Sequence, residues 1–140
     1  MPLEDHKHLS RRATEMWASN NPDRPEDIFS ETYVNHQESD VKGGVSTRSL
    51  EDWKALVRGH HDAFATSTVQ ILMQIAEGDL VATRWEFTVT HTGDFMGVAP
   101  TGKEITWTGV QIDRFANGKI VESWVDWDKH RFFQGLGLVK

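Results

Sequence analysis

Apolar-rich runs separated by Gly, Pro and Asn dominate the hydrophobic pattern of the second half of the chain. They cover residues 80–91, 104–115 and 119–128. Runs of this composition between turn residues predict three long strands. The pair Asn117-Gly118 predicts a tight hairpin between the last two strands, because both residues tolerate a positive φ. The segment 92–102 is too long for such a turn and holds three glycines and Pro100, so we predict a flap over a site at the mouth of the sheet.

Helical periodicity is confined to the first half of the chain. Apolar residues at helical spacing predict an amphipathic helix over residues 5–17, and Pro25 to Phe29 predicts a short second helix. A longer helix is predicted from Ser49 to about Thr66, with Asp52 answering Ser49 in a capping box. Its buried stripe consists of Leu50, Trp53, Leu56, Val57, His60, His61 and Phe64.

The order of these elements predicts the fold class. A short extended piece at Tyr33 to Gln37 leads into a polar loop with Gly43 and Gly44, and Val69 to Ile75 is predicted to be a further strand. Helices gathered before a run of strands are typical of an α+β fold, with the helices on one face of a mainly antiparallel sheet. The 140 residues fit a single domain, 1–140.

Composition and charge exclude several classes of function. The net charge is −6, and the scattered Lys and Arg side chains disfavour nucleic acid and anionic membranes as partners. The chain has no cysteine, which excludes disulfides and thiolate chemistry. The charged N-terminal segment has no apolar core, and no long apolar run follows, so we expect a cytoplasmic protein that does not enter a membrane.

The last predicted strand holds the first candidates for chemistry. Strict alternation places Ile120, Glu122, Trp124, Asp126 and Asp128 on one face. A tryptophan beside carboxylates can raise a carboxyl pKa and hold that group near a substrate, as acid/base catalysis requires. The competing interpretation is a cluster of solvated acids at a strand end, because charged residues are mostly exposed.

Two histidines form a second group of candidates. His36 and His91 could donate a hydrogen bond to a carbonyl or enolate oxygen, or could shuttle a proton, although each could equally be a structural histidine. The remaining histidines considered, His6, His8, His60 and His61, lack a recognised metal-ligand spacing. We therefore assign no metal site and no cofactor.

The segment THTGDFMGVAPTGKEITWTGVQIDRFANGKIVESW, followed by Asp128 and by FFQGLG at 132–137, resembles the SnoaL-like polyketide cyclase family, which is part of the nuclear-transport-factor-2-like superfamily. The resemblance implies a cone-shaped α+β domain, in which N-terminal helices pack on the concave face of a curved sheet and enclose a pocket. It also places Asp128 at the position of the family's general acid/base.

That resemblance implies a cofactor-independent, aldol-type ring closure of a small, largely apolar carbonyl compound. Asp128 would remove a proton α to a carbonyl, with Asp126 beside it, and His36, His91 or Asn35 would hydrogen bond the enolate oxygen. The side chains expected to bind substrate are Tyr33, Asn35, Trp53, Arg84, Glu86, Trp107 and Trp124.

Two alternatives remain open from the sequence. Arg84, Glu86 and Asp126, together with Tyr33 and Asn35, also resemble the water-positioning set of the limonene-epoxide-hydrolase branch of the superfamily. The other alternative is a non-catalytic domain that binds a small ligand. The two enzyme interpretations differ in which face of residues 80–91 looks inward, and we favour the apolar row because burying unpaired charge is costly. Apolar residues on both faces of the sheet predict a homodimer packed through its outer face.

Overall fold

The computed structural model describes residues 2–37 and 47–140. Within these residues the chain forms four helices and six strands. In chain order they are α1 (Leu3–Glu15), α2 (Pro25–Ile28), β1 (Phe29–Gln37), β2 (Thr47–Ser49), α3 (Leu50–Ala63), β3 (Thr66–Glu77), β4 (Leu80–Thr90), β5 (Glu104–Ala116), β6 (Lys119–Trp127) and α4 (Lys129–Leu136). The predicted loop with Gly43 and Gly44 lies outside the described residues.

The strands form one open sheet in the order β2-β1-β6-β5-β4-β3. Every neighbouring pair is antiparallel except β1 and β6, which run parallel. The helices pack on one face of this sheet, so the predicted α+β class is confirmed. None of the helices in the described part of the chain is long and apolar enough to cross a membrane.

Two local predictions are confirmed in atomic detail. Asn117 and Gly118 have φ angles of 53° and 78° and join Ala116 to Lys119, as a two-residue hairpin turn requires. At the start of α3, the Ser49 hydroxyl accepts the backbone N–H of Asp52 at 3.2 Å, and the Asp52 carboxylate accepts the N–H of Ser49 at 3.1 Å. The capping box therefore fixes where α3 begins.

The C-terminal segment forms a helix that the hydrophobic pattern did not predict. Asp128 caps the first turn of α4 by accepting the backbone N–H of Arg131 at 3.0 Å. Gly137, with a φ of 83°, ends the helix, and the N–H of Leu138 reaches the carbonyl of Phe133 at 2.9 Å. The helix lays Phe132 and Phe133 on the inner face of the sheet, where both are buried.

The faces of β4 follow the predicted alternation. The buried row contains Val81, Trp85, Phe87 and Val89, which point toward the helices. Arg84 is exposed and Glu86 is partly exposed on the outer face. The apolar row therefore looks inward, as favoured from the cost of burying charge.

The prediction that Ile120 shares a face of β6 with Glu122 and Trp124 is wrong. The pairing with β5 shifts between Arg114 and Phe115, so one extra residue of β6 lies in a bulge. Ile120 is consequently buried in the core, whereas Glu122 and the later alternate residues face outward. Ser123, Val125 and Trp127 form the inward row instead.

Candidate active site

A cavity of about 110 Å³ lies between the helices and the inner face of the sheet. Its walls are mainly aromatic, and five of the six tryptophans line it. The aromatic lining consists of Trp17, Phe29, Tyr33, Trp53, Trp85, Phe87, Phe95, Trp107, Trp127 and Phe132. Phe95 belongs to the predicted flap, which thus contributes to the wall. Such a lining favours a flat, largely apolar ligand.

One part of the cavity wall is polar. It is formed by Tyr33 and Asn35 on β1 and by Gln111 on β5, and Gln37 at the end of β1 also lines the cavity. The Asn35 amide donates a hydrogen bond to the Tyr33 hydroxyl at 2.9 Å, while its Oδ1 is buried and has no hydrogen-bond partner. The side chain of Asn35 therefore keeps one enclosed acceptor without a partner, and the amide N–H that does not bind Tyr33 is unused.

A fully buried carboxyl group supports this polar wall. Asp113 accepts the Ser123 hydroxyl at 2.5 Å, and both of its oxygens lie 3.0 Å from Nε2 of Gln111. Burial raises the pKa of Asp113 above its ordinary value, although these hydrogen bonds act in the opposite direction. Burial, reinforced by the charge of Asp113, also raises the pKa of Tyr33. The polar wall therefore favours uncharged forms of its acidic groups.

His60 lies in the wall on the α3 side, and its ring is surrounded by Trp17, Phe64, Phe87 and Trp107. Burial lowers the pKa of His60 to about 3, and the neighbouring His61 adds to that effect. The imidazole is therefore neutral at physiological pH.

Four of the residues expected from the sequence meet at this cavity. Tyr33, Asn35, Trp53 and Trp107 all line it. In contrast, Arg84, Asp126 and Asp128 line an open groove on the other side of the sheet. Glu86 and Trp124 also lie on the outer face, so the arginine and acids of the hydrolase alternative do not point into the cavity.

Asp128, expected to be the general acid/base, is exposed and caps α4. Its carboxylate does not line the aromatic cavity. Asp128 directly follows Trp127, whose side chain points into the cavity. Neighbouring residues at the end of a strand point to opposite faces, so Asp128 points away from the cavity.

The two candidate histidines lie away from the cavity as well. His36 lies on the outer face, where its Nε2 is 2.7 Å from Glu122, which also binds Arg114 at 3.0 Å. His91 is fully buried and accepts the backbone N–H of Thr101 at 3.2 Å. That bond ties the two ends of the flap together.

Sequence reasoning missed four polar residues at or behind the cavity wall: Gln37, His60, Gln111 and Asp113. Gln111 and Asp113 share the inward row of β5 with Ile105 and Trp107, where an acid in an apolar row was an available signal. His60 was assigned to the buried stripe of α3 but not to a site. Among the described residues, no group of three His, Asp or Glu side chains is arranged to hold a metal ion.

Comparison with known proteins agrees with this architecture. The family model for the SnoaL-like polyketide cyclase matches residues 7–136. AclR from Streptomyces galilaeus, a candidate hydroxylase, is 29% identical with a TM-score of 0.85, over 99% of this chain and 100% of that one. IdmH from Streptomyces antibioticus, a candidate polyketide cyclase, is 26% identical with a TM-score of 0.79, over 94% and 98% of the two chains. A comparison with curated proteins gave no significant match.

Proposed function

We propose that this chain, which belongs to the SnoaL-like polyketide cyclase family, closes a ring in a small, largely apolar carbonyl compound without a cofactor. The observation that supports this proposal best is the polar wall formed by Tyr33, Asn35 and Gln111 within a mainly aromatic cavity. A substrate with one oxygenated end and a flat apolar body would fit this distribution.

The aromatic walls would act by shaping the substrate. An intramolecular aldol step needs a nucleophilic carbon and a carbonyl carbon held close together in the correct orientation. Holding two reacting groups in this way supplies a large part of the acceleration in many reactions. The large rings that line the cavity would restrict the folded conformations that a flexible compound can adopt.

The polar wall would stabilise the reacting oxygen. In the proposed step the substrate carbonyl enolises, and its α-carbon forms a bond to the second carbonyl carbon. The enol proton ends on the new alkoxide, so the product is an isomer of the substrate and no electrons are gained or lost. Asn35 would donate to the carbonyl oxygen the amide N–H that Tyr33 does not use.

Asp113 would assist from behind the wall. Because its pKa is raised, Asp113 favours its protonated form. This proton would lie behind the polar wall, on the side where negative charge would develop on the substrate oxygen. Asp128 has no role in this proposal, because its carboxylate caps α4 on the far side of the sheet.

Synthetic aryl triketones provide a direct test of ring closure. We expect the wild-type protein to convert a triketone that fits the cavity to a cyclic isomer or its dehydration product, followed by chromatography and NMR. Replacing Asn35 by Leu should reduce the rate by about 10²-fold, as expected for the loss of a group that stabilises a developing oxyanion. The matched control is Asp126→Asn, which alters a carboxylate on the outer face. Equal rates for wild type and Asn35→Leu would contradict the proposal.

Hydroxylation is a second candidate, favoured by the similarity to AclR and by the absence of a carboxylate among the described lining residues. The two reactions differ in stoichiometry, since ring closure consumes no oxygen. An oxygen electrode distinguishes them: oxygen uptake that depends on both protein and substrate would favour hydroxylation, and product formation without oxygen would exclude it.

A further inference from the structure

The cavity contains a histidine whose tautomer is fixed by its surroundings. Nε2 of His60 lies 2.8 Å from the Ser67 hydroxyl oxygen, and that hydroxyl lies 2.9 Å from the backbone carbonyl of Trp17. A carbonyl can only accept, so the one proton of the Ser67 hydroxyl goes to Trp17. The Ser67 oxygen must then accept from His60, which places the imidazole proton on Nε2.

Ser67 is held firmly in this position. Its backbone N–H donates to the Ser19 hydroxyl at 2.7 Å, and its carbonyl accepts the backbone N–H of Ser19 at 2.9 Å. The Ser67 side chain is also buried. Rotation of the hydroxyl away from His60 would leave a buried N–H without a partner, which is costly.

The second ring nitrogen, Nδ1, is left as an unused acceptor. It makes no hydrogen bond within residues 2–37 and 47–140, and it is not among the buried polar atoms that the fold encloses completely. The ring itself lines the cavity. The neighbouring His61 is different, because its Nε2 reaches the carbonyl of Met16 at 3.1 Å and its ring does not line the cavity.

We propose that Nδ1 of His60 accepts a hydrogen bond from a hydroxyl group of the substrate, and that it thereby selects a phenol or an enol over the corresponding ether or hydrocarbon. This inference rests on the proposed function, because it assumes that the cavity binds the substrate. It assigns the site a second polar anchor, separate from the wall formed by Tyr33, Asn35 and Gln111.

Its basicity limits what His60 can do. With a pKa of about 3, the imidazole cannot hold a proton taken from a phenol, whose pKa is roughly 10. A hydrogen bond that keeps the proton on the substrate oxygen is compatible with such a weak base. For an enol, this bond increases electron density at the α-carbon and orients that carbon, so His60 acts as an orienting acceptor.

NMR tests the tautomer directly. In protein labelled with ¹⁵N at histidine, two-bond ¹H–¹⁵N spectra should show His60 neutral, protonated at Nε2 and unprotonated at Nδ1, from pH 5 to 8. Ser67→Ala removes the acceptor and should shift His60 toward a mixture of tautomers, while His61→Gln, which also assists assignment, should leave the pattern unchanged. A proton on Nδ1, or a charged ring at pH 6, would overturn the inference.

Binding tests the selectivity. We expect 2-naphthol to bind about 10-fold more tightly than 2-methoxynaphthalene by calorimetry, because only the former can donate to Nδ1. His60→Phe should abolish this preference, His60→Asn should restore part of it through its amide oxygen, and His61→Gln should keep it in full. Equal affinities in the wild type, or a preference that survives in His60→Phe, would overturn the role of His60 while leaving the proposed function intact. If neither compound binds, the proposed function fails together with this inference.

Discussion

Asp113 shows most clearly how the surroundings of a single side chain decide its chemistry. Burial raises its pKa above the ordinary value of 3.8, so the folded chain holds this proton more tightly than the unfolded chain does. The stabilisation from this proton is fully present below pH 3.8 and is lost as the pH rises through the raised pKa.

Asp113→Asn removes the titration and keeps the shape of the protonated acid. We expect the variant to be more stable than the wild type at pH 8, by about 1–3 kcal/mol, because the wild type must then bury a charge or take up a proton. The difference should shrink toward pH 4. Urea unfolding at the two pH values measures it, and a wild type that gains stability over the variant as the pH rises would contradict this assignment.

At the residue scale, the sequence picked out four residues that line the cavity. Tyr33, Asn35, Trp53 and Trp107 line the cavity, as expected for substrate-binding residues. The carboxylates were more difficult, because the environment of an acid depends on neighbours from other strands. The apolar row of β5 was a signal for Asp113, but its partner Ser123 belongs to β6, and no spacing within β5 reveals that partner.

At the element scale, the end of β6 shows why the expected general acid/base was difficult to place. Asp128 follows the strand directly and begins α4 as its N-cap. Spacing along the chain does not distinguish a carboxylate that enters a cavity from one that accepts a backbone N–H at a helix start. The bulge opposite Phe115 had a similar effect, since alternation alone cannot predict where a strand gains a residue.

Substitutions of Asp128 separate the two roles. As a helix cap, Asp128→Ala should cost about 1 kcal/mol of stability, whereas Asp128→Asn should cost little, because asparagine caps helices equally well. Ring closure should proceed at a similar rate in Asp128→Asn. If Asp128 were instead the general base, Asp128→Asn should reduce turnover by about 10²- to 10⁴-fold at an unchanged melting temperature. That result would identify Asp128 as the catalytic carboxylate.

Gly109 on β5 permits the close packing of two cavity tryptophans. A Cβ atom added there would lie 2.5 Å from the Trp85 ring and 2.8 Å from Cβ of Trp127. We therefore expect Gly109→Ala to lower the free energy of unfolding by about 1–3 kcal/mol and to weaken ligand binding.

Gly59 on α3 provides the matched control for that substitution. A Cβ added at Gly59 meets no atom within 4 Å, so Gly59→Ala should stabilise the helix by about 0.5–1 kcal/mol. Thermal unfolding of both variants checks the pair. A Gly109→Ala protein as stable as the wild type would show that the tryptophans can move apart at no cost.

At the scale of the whole molecule, the outer face of the sheet carries one apolar row among its charged residues. Ile75, Ala82, Ile112 and Trp124 are paired in turn across four neighbouring strands, and the three larger side chains are each more than a third exposed. Such a row is typical of an interface. The α+β class could be predicted because helices and strands separate along the chain, but the continuity of this row requires the strand register.

We expect a homodimer packed through this face, as predicted from the sequence. Ile112→Arg places a charge in the middle of the row and should convert the dimer to a monomer without unfolding it, because the side chain is already partly solvated. Light scattering after gel filtration at micromolar concentration measures the mass, and Lys103→Ala, in the residue just before β5, serves as a control. A monomeric wild type would contradict the prediction.

The distribution of tryptophans also makes the intrinsic fluorescence of the protein sensitive to ligand binding. Trp17, Trp53, Trp85, Trp107 and Trp127 line the cavity, and Trp124 alone of the six lies on the outer face. Ultraviolet emission from the native protein therefore comes mainly from the cavity walls, and an aromatic guest that absorbs near this emission should quench it by energy transfer. The residual signal from Trp124 should respond to self-association instead. Unlabelled protein can thus report ligand entry and dimer formation through two spectroscopically separable populations of the same residue.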